Sequence, residues 1–371
     1  MAGGTGGHVF PALSIAEYLL ANGVDVEWLG TRAGLEAKVV EEKKIPIHYI
    51  SITGIRGKKL STRMLSPFRI SIALMQSIIK MLTIRPNCVL GMGGFVTGPG
   101  GMAAWLLGKH LLIHEQNAVA GFTNQLLYPC AKTVMQAFPG AFERKQKLTK
   151  NIFLRQFIRG ARALTVGNPV RQEIIECGHK KREEKAVHDD LRILVLGGSL
   201  GAQAINEVIP RVLAKLEPGN CVSVRHQCGN KNIEQTLAFY ADSKLALNER
   251  REVVPFINDM AAAYLWADLV ICRAGAITIS ELLAVGVASI LLPFPGAVDD
   301  HQTANARILE AAGAGILIPQ DKLNVTALFT IICDFISNPK KLFDHASSAK
   351  SLYKPDATRM VAESCLRGCY A

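Results

Sequence analysis

The chain has 371 residues, 49% of them hydrophobic and 20% charged, with a formal net charge of +11. That balance excludes a disordered chain and leaves room for two packed domains. The charge is uneven: residues 1–170 hold 20 Lys and Arg against 8 Asp and Glu, residues 171–371 hold 22 against 23, and no acid occurs from Lys43 to His114. A surface for an anionic partner therefore belongs to the first half. The nine cysteines are scattered without a CxxC pair or a Cys/His metal spacing, the pattern of reduced cytosolic thiols. The start carries no basic-then-apolar signal run, and the uncharged stretch Pro86 to Gly108 is broken by glycines, so neither a secretory signal nor a transmembrane helix is expected.

In chain order, "GGTGGH" at Gly3 to His8 leads into the helical "FPALSIAEYLLANG". Such a loop leaves the end of a buried strand, yet only Met1 and Ala2 stand before it, so a first N-terminal strand is expected to be missing. "VDVEWLG" is strand-like. "SPFRISIALMQSIIKML" offers Ser66 as N-cap and Pro67 at the first helical position, predicting a helix to about Leu82. Arg69, Ala73, Gln76 and Lys80 fall on one narrow stripe, and Phe68, Ile72, Met75, Ile78, Ile79 and Leu82 cover the rest. With Arg56, Lys58, Lys59, Arg63 and Arg85 nearby, this helix suits an anionic membrane surface; a core helix with one solvated edge is the alternative.

"CVLGMGG", "HLLIHE" and "KTVMQA" continue the strands of the first half, and "LRILVLGGS", "DLVICRAGA" and "SILLPF" repeat the scheme in the second. Helical stretches alternate with them, which predicts parallel α/β sheets met twice. "HKKREEKAVHDD", with almost nothing to bury, reads as a linker, and the boundary falls near Pro169 to Asp190.

Gly3-Gly4-Thr5-Gly6-Gly7 and Gly197-Gly198-Ser199-Leu200-Gly201 share the pattern GG[ST]xG, each ahead of a helix. Glycines there let backbone N–H groups approach an anion, and the helix start adds its positive end. Neither loop fits the dinucleotide fingerprint or the P-loop, and a tight turn without ligand is the alternative. The glycine-rich "GMGGFVTGPGG" at 91–101 favours close approach to a ligand over packing. In "CRAGAITISELLAVG" a strand meets a helix beginning at Ile277 or Thr278, whose first-turn N–H groups suit a phosphate. Glu281 either caps that helix or accepts a ribose diol; Gln302 and Asn305 lie three apart on a probable helix face.

Taken together, "GGTGGHVFPAL", "GIRGK", "GMGGFVTGPGG", "HEQNAVAGFTN", "GNPVR", "GGSLGAQAIN", "FINDMAAAY", "CRAGAITISEL", "DHQTANA" and "PDATRMVAE" resemble the MurG family. These bacterial glycosyltransferases add N-acetylglucosamine to the lipid-linked muramoyl-pentapeptide precursor of peptidoglycan. The motifs run from residue 3 to about 363 in the family's order. The resemblance implies a GT-B architecture of two Rossmann-like domains facing a cleft. Residues 1–170 would form the acceptor and membrane-facing domain, with a C-terminal helix of about 352–371 packing back on it, and 171–351 the UDP-GlcNAc domain.

Carried over residue by residue, the resemblance assigns Ser199, Ile257 (its backbone facing uracil) and Ala276, Ile277, Thr278, Ile279, Ser280 and Glu281 to the donor. Glu281 would take the ribose hydroxyls and Arg171 the diphosphate, with Asn117, Gln302 and Asn305 around the sugar. Thr5, Gly6 and Gly7 face the reaction centre beside the donor, with His8 as candidate general base, and Gly93, Gly94 and Phe95 form an acceptor-side loop. Leu200 and Phe95 depart from members with Gln and Tyr at those places.

The implied chemistry is a direct displacement at the anomeric carbon of UDP-GlcNAc by the muramoyl 4-hydroxyl, with inversion to a β-1,4 bond and loss of UDP. An imidazole suits proton uptake near neutral pH. A loop histidine that binds acceptor phosphate or caps the helix is the alternative for His8. No Asp-x-Asp motif is present, so metal-independent donor binding without a cofactor is expected. The implied partners are UDP-GlcNAc, undecaprenyl-pyrophosphoryl-muramoyl-pentapeptide and anionic lipid at the cytoplasmic face of the inner membrane, with no nucleic acid. A sugar-nucleotide epimerase and a non-catalytic nucleotide-binding protein are the rival readings.

Overall fold

A computed structural model describes residues 1–53, 66–146, 163–183, 190–198, 201–216 and 222–369. The chain divides into two compact units, Met1–Arg171 with Lys354–Ala371, and Gln172–Tyr353.

Unit 2 holds one six-stranded parallel sheet. Its strands are β7 (Leu191–Leu196), β8 (Val222–Gln227), β9 (Arg251–Val254), β10 (Leu269–Cys272), β11 (Ala288–Leu291) and β12 (Ile316–Leu317), in the order β12-β11-β10-β7-β8-β9. The central strands read as unbroken apolar runs because both faces are covered, and every residue of β10 and β11 is buried. Ile193, Val195, Ile271 and Ile290 pack in one core with Ile205, Ile209 and Val212 of α8 (Gln203–Leu216) and Leu328, Ile332 and Phe335 of α13 (Val325–Ser337). The remaining helices of the unit are α7 (Gln172–Glu183), α9 (Ile233–Asp242), α10 (Met260–Trp266), α11 (Ala276–Val285), α12 (His301–Ala311) and α14 (Pro339–Leu352). From β7 the chain builds outward through β8 and β9, then returns to the other side of β7 for β10 to β12. The strand order therefore reverses between β7 and β10, where open α/β sheets place ligands beyond their carboxyl ends.

Unit 1 has the same plan in two pieces. β1 (Trp28–Gly30) pairs with β2 (Ile47–Tyr49), and β3 (Cys88–Gly91), β4 (His110–Glu115), β5 (Thr133–Gln136) and β6 (Leu164–Thr165) form a separate parallel sheet. Met1 to Gly3 lies between the two pieces. Met1 N donates to Leu90 O and Met92 N to Met1 O, a short ladder against β3. On the other side the Trp28 indole N–H donates to Ala2 O at 3.0 Å.

The expected strand before the first glycine loop is thus represented by a rudiment with two backbone bonds. The helices are α1 (Gly6–Ala21), α2 (Leu35–Glu42), α3 (Ser66–Ile84), α4 (Gly94–Leu106), α5 (Phe122–Leu127), α6 (Ala141–Gln146) and, after unit 2, α15 (Ala357–Cys369). Val9 and Leu13 of α1 share a core with Met92, Leu112 and Met135 and with Val361, Ala362 and Cys365 of α15.

Two expectations change. The linker-like "HKKRE" is the last part of α7, a helix that begins at Gln172. The stripe on α3 is split: Arg69 stays exposed, but Ala73 is fully buried in a cluster with Val96, Leu29 and Ile50, Ser77 is buried, and Gln76 accepts from Ser51 N at 2.7 Å. Small residues let α3 lie close on the glycine-rich α4, which turns Phe68 (66% exposed), Met75 (58%) and Leu82 (57%) outward. Over Pro67–Ile84, α3 is the one helix among the described residues long and apolar enough to cross a bilayer. Its buried Ala73, Ser77 and Met81 make it a layer of unit 1.

Candidate active site

In unit 1 the starts of α1, α4 and α5, each preceded by a glycine-containing loop, carry no acid in the first turn. Acids there would repel an anion at the positive helix end. Thr5 is the exposed N-cap of α1, with Gly6, Gly7 and His8 as the first three helical residues. The loop before them is held by the fully buried Glu36, which accepts from Gly4 N at 3.1 Å and from Thr31 N and Oγ1 at 2.9 and 2.8 Å.

The second glycine loop closes on the first. At Gly94 an added Cβ would lie 2.3 Å from Gly3 O, and at Gly93 (φ +87°) it would lie 3.0 Å from the His8 ring. Both positions disfavour a side chain, Gly94 by its close approach to Gly3 and both by their left-handed backbones, with φ +79° at Gly94. Phe95 packs against Gly4, so this residue serves the loop as a spacer.

His8 Nδ1 lies 2.8 Å from Gln116 Oε1. Gln116 Nε2 lies 3.2 Å from His114 Nδ1 and 3.1 Å from His114 O, and His114 Nε2 lies 2.8 Å from Gly167 O. Burial pushes the His114 imidazole down to about 4, so it is neutral at physiological pH. Asn117 is tied by its N–H and amide to Glu115 Oε1 at 2.9 and 3.2 Å, while Glu115 Oε2 accepts from Gly121 N and Asn124 Nδ2, each at 2.9 Å. Arg171 places its guanidinium 5.5 Å from the Phe10 ring centroid.

In unit 2 the turn after β7 and the turn after β10 stand side by side at the reversal of strand order. Gln227 clamps the first: its Oε1 accepts from Gly198 N at 3.0 Å, and its Nε2 donates to Gly198 O at 3.0 Å and Pro255 O at 3.1 Å. Ser199 and Leu200 lie outside the described residues. The second turn is pinned by Arg273, which donates to Leu292 O, Pro293 O and Gln320 Oε1, and by the fully buried Asn305, which donates to Ala274 O at 3.2 Å.

α11 then starts at Ala276, with Gly275 as N-cap and no acid in its first turn. Ala276, Ile277 and Thr278 supply the open backbone of that turn. Ile279 is fully buried, and Ser280 Oγ donates back to Ala276 O at 2.8 Å, so these two side chains face the unit rather than a ligand. Glu281 sits in the second turn, beyond capping position, buried, and accepts from Tyr264 OH at 3.1 Å. Ile257 lies half-buried between Pro255 and Asp259, whose Oδ1 caps α10 by accepting from Ala262 N. Gln302 Oε1 accepts from Phe294 N at 2.9 Å.

A polar cavity of about 540 Å³ lies at the opposite, amino end of the unit 2 strands, lined by Asp190, Arg192, Arg225, Arg250 and Trp266 among others. Asp190 accepts from Ser223 and pairs with Arg250, and Arg225 pairs with Glu252 and stacks on Trp266.

Sequence reasoning did not single out Glu36, His114, Gln116, Tyr264 or Gln227. "HEQN" at the end of a buried strand was the one available signal, since four polar residues in a row at a strand's carboxyl end have no packing role.

Two parallel α/β units, each with a glycine turn leading into a helix start without acids, have the GT-B fold. Residues 1–136 match the glycosyltransferase family 28 N-terminal domain, and residues 192–361 the family 28 C-terminal domain. The chain is 47% identical to the UDP-N-acetylglucosamine–N-acetylmuramyl-(pentapeptide) pyrophosphoryl-undecaprenol N-acetylglucosamine transferase of Marinobacter nauticus, over 99% of this chain and 96% of that one. It is equally 47% identical to the transferase of that name from Alkalilimnicola ehrlichii, over 99% and 97%. The crystal structure of Acinetobacter baumannii MurG superposes with a TM-score of 0.80 at 41% identity, covering 99% and 98% of the two chains. The chain belongs to the MurG family of glycosyltransferases. A Listeria monocytogenes protein described as a putative UDP-N-acetylglucosamine 2-epimerase, at TM-score 0.68 and 15% identity, shares the fold alone.

Proposed function

We propose that this chain transfers N-acetylglucosamine from UDP-GlcNAc to the 4-hydroxyl of lipid-linked muramoyl-pentapeptide, with inversion and release of UDP. The observation that carries it is 47% identity along 99% of the chain to transferases of that name. UDP release that requires the lipid-linked acceptor is the expected result with purified protein. Turnover of UDP-GlcNAc without acceptor would favour an epimerase, and binding without turnover a nucleotide-binding protein.

Within that reaction unit 2 takes the donor. The open first turn of α11 at Ala276 to Thr278 suits the diphosphate, and Glu281 takes the ribose diol with Tyr264 orienting its carboxylate. Ile257 presents backbone to uracil, and Ser199, Gln302 and Asn305 complete the donor set of unit 2, with Arg171 and Asn117 of unit 1 assigned to the same donor by the family resemblance. Arg273 and Asn305 support this by holding the turn rigid. In unit 1, Thr5, Gly6 and Gly7 face the reaction centre, Gly93, Gly94 and Phe95 the acceptor, and His8 accepts the proton of the attacking hydroxyl.

The acceptor is membrane-bound, and unit 1 meets it peripherally at the cytoplasmic face of the inner membrane. Supporting this, α3 turns Phe68, Met75, Ile79 and Leu82 outward beside the exposed Arg69 and Arg85. Apolar side chains of this kind enter the headgroup boundary while basic residues add about 1 kcal/mol each with anionic lipid. Vesicle binding should need anionic lipid, weaken with salt, and fall in an Arg69→Ser/Lys80→Ser variant that keeps activity on a short-chain soluble acceptor. Equal binding to neutral vesicles would remove the anionic-lipid partner.

A further inference from the structure

We propose that Gln116 and His114 are positioning residues that hold His8 in its Nδ1–H tautomer, leaving Nε2 as the basic nitrogen. The inference rests on the reading of His8 as general base and adds how the chain prepares it.

The chain of hydrogen bonds begins at a group with no choice. Gly167 O can only accept, so His114 Nε2, 2.8 Å away, carries the proton. His114 is fully buried and neutral, so its Nδ1 is bare and needs a donor. Gln116 Nε2 is that donor at 3.2 Å, and its second N–H goes to His114 O at 3.1 Å. Turning the amide over would set Gln116 Oε1 against two acceptors inside a fully buried site, which costs about 1–3 kcal/mol per unmet group. The amide orientation is therefore fixed by chemistry.

Gln116 Oε1 is left facing His8 Nδ1 at 2.8 Å, and an amide oxygen only accepts, so the proton of neutral His8 sits on Nδ1. The frame around the chain is equally held: Asn168 Nδ2 donates to Gln116 O and Asn124 Nδ2 to His114 O, each at 3.0 Å. The Glu115 carboxylate is turned to Asn117, Gly121 and Asn124, so the relay sets the tautomer without placing an anion on the imidazole. In the reaction His8 Nε2 takes the proton of the muramoyl 4-hydroxyl as the new glycosidic bond forms and UDP leaves. His8 Nδ1–H stays on Gln116 throughout.

The test is long-range proton–nitrogen NMR on the full chain with 15N-histidine, assigning His8 by its loss in His8→Gln, together with steady-state kinetics. The wild type should show His8 protonated at Nδ1 and His114 at Nε2. Gln116→Met should release His8 toward the Nε2–H form and lower kcat at least about 10-fold with donor KM within about twofold; a wrong tautomer at a catalytic imidazole costs up to about 10⁴. His8 bare at Nδ1 in the wild type overturns the relay whether or not Gln116→Met folds, as does a folded Gln116→Met with unchanged tautomer and kcat. Near-normal kcat in His8→Gln would instead remove the base reading itself, so the two failures are distinct.

Discussion

Both units set a glycine turn ahead of a helix start, but the turns are anchored differently. In unit 2 the turn follows the six-residue β7, paired on both sides, and the neutral amide of Gln227 only trims its position. In unit 1 two backbone bonds of Met1 stand in for the strand, and the buried carboxylate of Glu36 holds Gly4 and Thr31. The comparison teaches that one local geometry can be secured by a sheet ladder or by a single charged side chain. The second device concentrates the dependence in one residue.

The largest expected effect tests that concentration. Glu36→Ala strips the acceptor from three buried or half-buried donors and should destabilise unit 1 by roughly 3–5 kcal/mol, since each donor left without an acceptor costs at least about 1 kcal/mol. Gln227→Ala in unit 2 should cost only about 1–2 kcal/mol because the β7 ladder remains. Hydrogen exchange at α1 and α8 amides reads the two separately. Equal losses would erase the contrast between the anchors.

Each unit also buries a neutral histidine. Burial pushes His114 in unit 1 down to about 4 and His226 in unit 2 down to about 3, from an ordinary 6.5. The unfolded chain then takes up protons below pH 6.5 that the native state refuses, so stability is present above that pH and lost as pH falls. At about 1.36 kcal/mol per pH unit, each histidine removes about 3 kcal/mol by pH 4. His114→Gln should flatten the acid limb of unit 1 and His226→Gln that of unit 2; an unchanged limb would show the histidine charged in the fold.

Smaller still is the effect on the donor turn, whose backbone is already fixed. Glu281→Ala should raise donor KM about 10 to 100-fold, from the loss of charge-assisted bonds of about 1.5–3 kcal/mol. The variant should lose its preference for UDP-GlcNAc over a 2′-deoxy donor, whereas persistence of that preference would place the ribose elsewhere. The smallest shift is expected from adding an apolar strand of about five residues ahead of Ala2. A gain of about 1 kcal/mol would raise Tm by about 2–4 °C, while no change would mean that the two sheet pieces need no bridge.

The alternating strands, the paired glycine turns and the order of elements were legible because they depend on local pattern. The facing of α3 was not: Ala73 and Ser77 carry little hydrophobic signal, and it is the glycine-rich α4 that lets them approach. "HKKRE" reads as solvated linker because a helix tail can be charged on every side. Glu281 stood out in the sequence, but its hydrogen-bond partner Tyr264 lies 17 residues away and looks like ordinary core. His114 and Gln116 were hidden for the same reason, since their roles exist only once β4 brings them to His8 and Gly167.

Because α15 completes the core of unit 1, all of Gln172–Tyr353 is an insertion within that unit. During synthesis residues 1–171 leave the ribosome with no Val361, Ala362 or Cys365 to cover α1. At about 5–20 residues per second the wait is about 10 to 40 s, the time in which unit 2 itself is made. The body that emerges first is thus the one finished last, with the apolar face of α1 uncovered until then. A cut near Lys354 in the mature protein would recreate that unfinished state and loosen the amino-terminal unit while leaving the neighbouring one intact.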